Sequence, residues 1–207
     1  MHKRIYRDEE PPVIKRMREL GFKVFDTQDF DLNIIGVRNL NSTRANLFDD
    51  EIHIVYKERG FWVDEYAPAT TDPSTYYLQD PNYRANDGVA ILCHPQQIRS
   101  GYVLGPHGKT GYTALVNRGK NPTKVWRDGN RDDKLDYGGK VYEGFFGVNI
   151  HRASLKNGGV TRFVDAWSAG CSVWQYSEDF EIMLKRCRTQ IERLGYKFFT
   201  YSLITME

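Results

Sequence analysis

Gly147-Val-Asn-Ile-His151, followed by Trp167-Ser-Ala-Gly-Cys-Ser-Val-Trp174, is the stretch on which the reading of this chain turns. The first run, extended back to Phe145, is rich in aromatic and β-branched residues and predicts a strand that ends on His151. Seventeen residues later, Ser168-Ala169-Gly170-Cys171 forms a turn of small residues leading into the apolar pair Val173-Trp174. Small residues let the backbone approach a substrate and let successive N–H groups converge on one point. A thiol is nucleophilic as the thiolate, and a histidine beside it supplies the base. Cys171 is therefore the candidate nucleophile and His151 its base. The residues alone leave a second reading open, a buried structural thiol and a hydrogen-bonded strand histidine.

Outward from this stretch the chain is β-rich. Pro11-Pro12 opens a helix carrying Val13, Ile14, Met17 and Leu20 at helical spacing, stopped at Gly21. Phe22, Val24 and Phe25 begin an extended segment, and residues 32–37 predict a strand. Residues 51–56 and 61–66 alternate and predict a hairpin around Glu58-Arg59-Gly60. Residues 67–87, rich in Thr, Pro, Asp, Asn and Tyr, read as a long surface loop. Strands are expected at 89–93, 112–116 and 124–127, with a polar loop at 128–140. A helix is expected over 179–194, with Gly195 as its stop, and a closing strand over 196–204.

The composition bounds the function. Of 207 residues, 40% are hydrophobic, 14% aromatic and 27% charged, an ordinary globular balance with a surplus of Tyr (13) and Phe (11). Net charge is +2 and the basic residues are scattered, so a nucleic-acid partner is not expected. No apolar run is long enough for a membrane span, and the N-terminus lacks the apolar stretch of a signal peptide; a soluble chain is the expectation. Cys93, Cys171 and Cys187 are an odd number with no C-x-x-C, so at least one thiol is unpaired within the chain and a multi-cysteine zinc site is excluded by spacing.

Ile150-His151 and Ser168-Ala169-Gly170-Cys171 resemble the signature of the YkuD-type L,D-transpeptidases, a strand ending in Ile-His, a variable loop, then Ser/Thr-x-Gly-Cys. The likeness covers about residues 145–176. The chain also resembles a variant, I-H-R … W-S-A-G-C, found in phage-associated and gut-bacterial proteins. The resemblance implies a mainly β, L,D-transpeptidase-like sandwich or barrel over 89–207, with 1–88 as an N-terminal α/β extension, and a late helix and strand. It implies an acyl-enzyme route on peptidoglycan stem peptides, with no cofactor. Cys171 would attack the carbonyl and His151 would accept the thiol proton, its ring oriented by the backbone carbonyl of Arg152. The N–H groups of Gly170 and Cys171, with Ala169, would form the oxyanion hole, and Ser168 would brace the turn. The family often has His at the place of Ala169 and Arg or Asn at that of Val173. Arg152 is then a candidate for holding a substrate carboxylate, and Trp167 for flooring a groove. Hydrolysis, as by a phage murein peptidase, is expected over cross-linking, because a resident cell-wall cross-linker would need export.

Two other patterns carry alternatives. Asp128, Asn130, Asp132 and Asp136 resemble the start of a calcium loop, but Asp133 and Gly139 stand where Gly and Glu belong, so an acidic turn is expected. His94 and His107 with His151 and a carboxylate would make a zinc-dependent murein peptidase, although none of these histidines has a ligand spacing. A non-catalytic cell-wall-binding module is the third reading.

Overall fold

The computed structural model describes residues 1–42, 44–84, 86–156 and 158–206. In chain order the elements are β1 (His2–Tyr6), α1 (Pro12–Glu19), β2 (Asn33–Val37), β3 (Asp50–Glu58), β4 (Phe61–Thr70), α2 (Thr75–Leu78), β5 (Val89–Leu92) and β6 (Gln96–His107). They continue with β7 (Tyr112–Val116), β8 (Thr123–Asp128), β9 (Tyr142–Gly144), β10 (Ile150–Arg152), β11 (Ser172–Trp174), α3 (Ser177–Leu194) and β12 (Phe199–Ile204).

The mainly β expectation is met by a closed barrel. Eight strands run in the order β4-β11-β10-β7-β6-β12-β2-β3, and β3 pairs back to β4. Closure satisfies backbone N–H and C=O groups that an open sheet would leave at its edges. Two pairings are parallel, β10 with β11 and β12 with β2. The side of β4 facing β11 is shared: β11 takes Ala69 and Thr70, while β1 pairs with residues 62–66. A second, three-stranded sheet is ordered β5-β8-β9.

The hairpin expected around residues 58–60 joins β3 to β4, with Glu58 opposite Phe61 and positive φ at Arg59 and Gly60. The late helix is α3, ended by Gly195 at φ +71°. Its apolar stripe, Phe180, Met183, Leu184 and Cys187, joins Ile34, Ile52, Ala67, Leu115, Ile150, Trp174 and Leu203 in one core. Arg186 ties that helix to the barrel wall through a two-pronged pair with the buried Glu65 of β4, at 2.7 and 2.6 Å.

Four expectations are corrected. Residues 67–70 are strand and 71–74 are buried, not surface loop, because β4 is held on both sides at this point: Asp50 pairs with Ala69 and Val173 with Thr70. Residues 145–149 are not strand; β10 begins only at Ile150, since Gly147 turns the chain at φ +73° and the Asn149 N–H is directed at the Cys171 sulfur. His151 thus sits inside a three-residue strand rather than at the end of a longer one. Residues 22–25 belong to no strand. The division expected at 88/89 is crossed by the barrel itself: β2, β3 and β4 are staves alongside β10, β11 and β12.

Candidate active site

β10 and β11 lie side by side and parallel, with Ile150 opposite Ser172, His151 opposite Val173 and Arg152 opposite Trp174. Successive side chains of a strand point to opposite faces. Ile150 and Trp174 go into the barrel core, which sends His151 and Val173 to the other side. Cys171 reaches the same region from the turn preceding β11. Its sulfur accepts the Asn149 N–H at 3.3 Å and lies 3.6 Å from the carbonyl oxygen of Gly147. The thiol is half-buried, whereas Cys93 and Cys187 are buried.

The small-residue turn is built as the sequence suggested. Gly170 adopts φ +112°, and a Cβ there would stand 2.3 Å from the carbonyl oxygen of Ala90 on β5. No other residue type fits, so the three-stranded sheet backs the turn before Cys171 through a glycine contact. Ser168 is fully buried; its Oγ lies 2.7 Å from Asp72 O and 2.8 Å from Cys171 O, and accepts the Gly170 N–H at 3.2 Å. The Ser168 carbonyl in turn accepts the Ser74 N–H at 3.0 Å. The Gly170 N–H, expected in the oxyanion hole, is thereby used inside the turn. Among the described residues, no hydrogen bond engages the N–H of Ala169 or Cys171, so these two donors are uncommitted.

His151 is buried, with Nδ1 3.0 Å from the carbonyl oxygen of Arg152, the orienting contact expected from the sequence. That contact places the proton on Nδ1 and the lone pair on Nε2. Burial, with His107 adding to it, lowers the His151 pKa to about 3, against the smaller upward pull of the Arg152 carbonyl. Burial raises the Cys171 thiol to about 11 despite the Asn149 N–H. Among the described residues no hydrogen bond joins the Cys171 sulfur to His151. The resting pair is a neutral thiol and a neutral imidazole.

Arg152 does not face the thiol. Strand alternation turns it to the opposite side from His151, where its guanidinium meets Glu181 of α3 at 3.3 Å and lies 5.1 Å from the Tyr112 ring. Trp167 is half-buried at the end of a single 3-10 turn, Asp165–Trp167, immediately before Ser168; Ala169 is also half-buried. An open groove of about 680 Å³ runs past Gln97, Arg99, Lys120 and Lys124 and is lined by neither Cys171 nor His151.

The alternative metal sets do not assemble. His94 is drawn to a cation, its Nδ1 2.8 Å from Arg38 Nη1, and burial together with Arg38 lowers its pKa to about 4. Only His107 and His151 come together, as stacked rings. In the 128–136 loop one side-chain oxygen of each of three residues accepts an N–H of the loop itself, Asp136 N–H to Asp128, Asp132 N–H to Asn130 and Lys134 N–H to Asp132, while Asp128 Oδ1 is buried with no hydrogen-bond partner. Among the described residues no three His, Cys, Asp or Glu side chains are grouped to hold a metal ion.

Residues the sequence did not single out complete the site. Asn149 bridges Cys171 to His107, its backbone N–H on the sulfur and its Nδ2 3.1 Å from His107 Nδ1. Behind Asp72 lies a fully buried Arg38, whose Nη2 is 3.0 Å from Asp72 Oδ1 and whose Nε donates to Thr71 Oγ1. Tyr137 OH donates to the other Asp72 oxygen at 2.9 Å. An Asn two places before a strand histidine is a usable sequence signal; Arg38 and Asp72 carry none. No family model matches the chain, and no curated protein or solved structure matches it either. No described helix is long and apolar enough to cross a membrane.

Proposed function

We propose that the chain is a cysteine-dependent acyl-transfer enzyme that opens peptide bonds of peptidoglycan stem peptides, with Cys171 as nucleophile and His151 as base. Four observations support this reading. They are a half-buried thiol on a turn that only glycine permits at position 170, two uncommitted N–H groups beside it, a histidine on the adjacent parallel strand, and a carbonyl fixing that histidine's tautomer. The stem-peptide substrate rests on the resemblance of Ile150-His151 and Ser168–Cys171 to the L,D-transpeptidase signature.

With neutral partners at rest, deprotonation accompanies attack. The thiol proton leaves its contact with Gly147 O for the His151 Nε2 lone pair as sulfur bonds to the carbonyl carbon. The Cys171 and Ala169 N–H groups receive the oxygen that becomes negative. The His151 imidazolium then returns the proton to the departing amine, leaving a thioester on Cys171. Water yields hydrolysis and an amine yields exchange. The test is mass spectrometry of muropeptides after digestion of purified peptidoglycan. Wild type should alter the profile and Cys171→Ala should not; identical profiles would overturn the assignment.

A further inference from the structure

A second histidine lies against the proposed base, and its protonation state can be read from the hydrogen bonds. The Asn117 N–H donates to Asn149 Oδ1 at 2.8 Å, which fixes the oxygen end of that amide. The nitrogen end, Nδ2, therefore donates to His107 Nδ1, 3.1 Å away. A donor facing Nδ1 requires a lone pair there, so His107 carries its proton on Nε2. His151 is the opposite tautomer, protonated on Nδ1 toward Arg152 O. The two rings stack with centroids 4.2 Å apart and planes 23° apart. Tyr112 of β7 meets His107 edge-on at 5.5 Å, and the Arg152 guanidinium lies over Tyr112. The same Asn149 offers its backbone N–H to the Cys171 sulfur.

We infer that His107 is a positioning residue for His151: a neutral imidazole plate, kept neutral by the Asn117–Asn149 relay, that holds the base's ring and stays uncharged while His151 becomes an imidazolium. The inference rests on the reading of Cys171 and His151 as a reacting pair. Protonating His107 would set an Nδ1–H against the Asn149 N–H, two donors facing each other. It would also place like charge 4.2 Å from the imidazolium formed in the first step. A neutral ring lying face-on to that imidazolium attracts it instead. Burial acts in the same direction, lowering the His107 pKa. Asn149 thus couples the two ends of the site, one donor on the nucleophile and another on the plate behind the base.

The test uses the full chain and iodoacetamide, with Cys171 carbamidomethylation followed by peptide mapping from pH 5 to 10. His151→Ala should slow modification at pH 7 by at least about tenfold. His107→Ala, which frees the base's ring, should slow it by about three- to tenfold. His107→Phe keeps a plate without an Nδ1 and should stay within about twofold of wild type. A His107→Ala profile matching wild type while His151→Ala falls would overturn the role of His107. A His151→Ala profile matching wild type would overturn the Cys171–His151 pair itself. The imidazole 15N spectrum of wild type supplies the readout that a merely structural role would not set. Opposite tautomers are expected, Nε2–H for His107 and Nδ1–H for His151, and an Nδ1–H form of His107 would also overturn the inference.

Discussion

The Ser168 hydroxyl oxygen lies 2.7 Å from the carbonyl oxygen of Asp72, joining the turn that carries Cys171 to a residue 96 positions earlier in the chain. Asp72 is itself clamped by Arg38 and Tyr137, so the turn is anchored on a buried polar cluster rather than on apolar packing. Ser168→Ala removes one oxygen that serves Asp72 O, Cys171 O and Gly170 N. The expected cost is about 1–3 kcal/mol, read from urea unfolding. Because Cys171 moves with its turn, kcat should fall with KM little changed; a variant with wild-type kcat would contradict the bracing role.

Gly170→Ala is expected to be worse than Ser168→Ala. It combines a positive φ of +112° with a Cβ 2.3 Å from Ala90 O, and backbone is on both sides of that clash. The strain alone is about 1–3 kcal/mol. Thermal unfolding should show a lower midpoint, and Cys171 alkylation should change with it as the turn shifts. A folded variant with unchanged thiol reactivity would mean the turn does not set the nucleophile.

Arg152→Ala separates two roles for one residue. The side chain faces Glu181 and Tyr112, away from His151. Its removal should lower stability while leaving KM for a carboxylate-bearing stem peptide within about twofold. A large rise in KM with unaltered unfolding would restore Arg152 as a substrate ligand.

Arg186→Met tests how the helix is fastened. The paired hydrogen bonds to Glu65 link α3 to β4 across 121 positions, and Glu65 is buried. Losing hydrogen bonds to a buried carboxylate costs roughly 1.5–3 kcal/mol. The double variant Arg186→Met/Glu65→Gln should recover part of that loss, because no charge is then left buried alone. An additive double variant would show the two residues to be uncoupled.

His53 predicts a pH dependence of stability. Burial disfavours its charged form, but hydrogen bonds to Asp64 at 2.8 Å and Glu51 at 3.2 Å outweigh it and raise its pKa. A raised folded-state pKa gives stability that is complete below the unfolded value, about 6.5, and is lost as pH rises through the folded value. Glu51 is shifted the other way, its pKa lowered chiefly by the His53 hydrogen bond. Its contribution is present above the unfolded value near 4.3 and is lost as pH falls through the folded one. Urea unfolding of wild type should therefore weaken on both sides of mildly acidic pH, relative to His53→Gln. Parallel pH profiles for the two would contradict the clamp.

Much of the local structure was written in periodicity. The α1 stripe of Val13, Ile14 and Met17, the Arg59-Gly60 hairpin and the Gly195 stop of α3 are each set by neighbours within a few positions. The strand at 145–149 misled because its residues suit a strand while its backbone donor at Asn149 goes to a sulfur from another segment. The first part of the 67–87 stretch, residues 67–74, misled because its polar composition signals solvent, whereas Thr71 and Asp72 are engaged by a buried Arg38.

By itself the sequence determined a β-rich chain, a small-residue turn carrying Cys171 and a strand residue His151, since these follow from local sterics and side-chain alternation. Only the tertiary structure decided that the barrel closes through β3 and β4, that Arg152 turns away from the thiol, and that Gly170 N–H serves Ser168. It alone brought Asn149, Asp72 and Arg38 to the site and set the His107 ring against His151 as a stacked pair. The physical reason is common to all of these. A hydrogen bond or ring contact between segments dozens of residues apart depends on strand register and on which face is buried, and neither is encoded in any window of neighbouring residues.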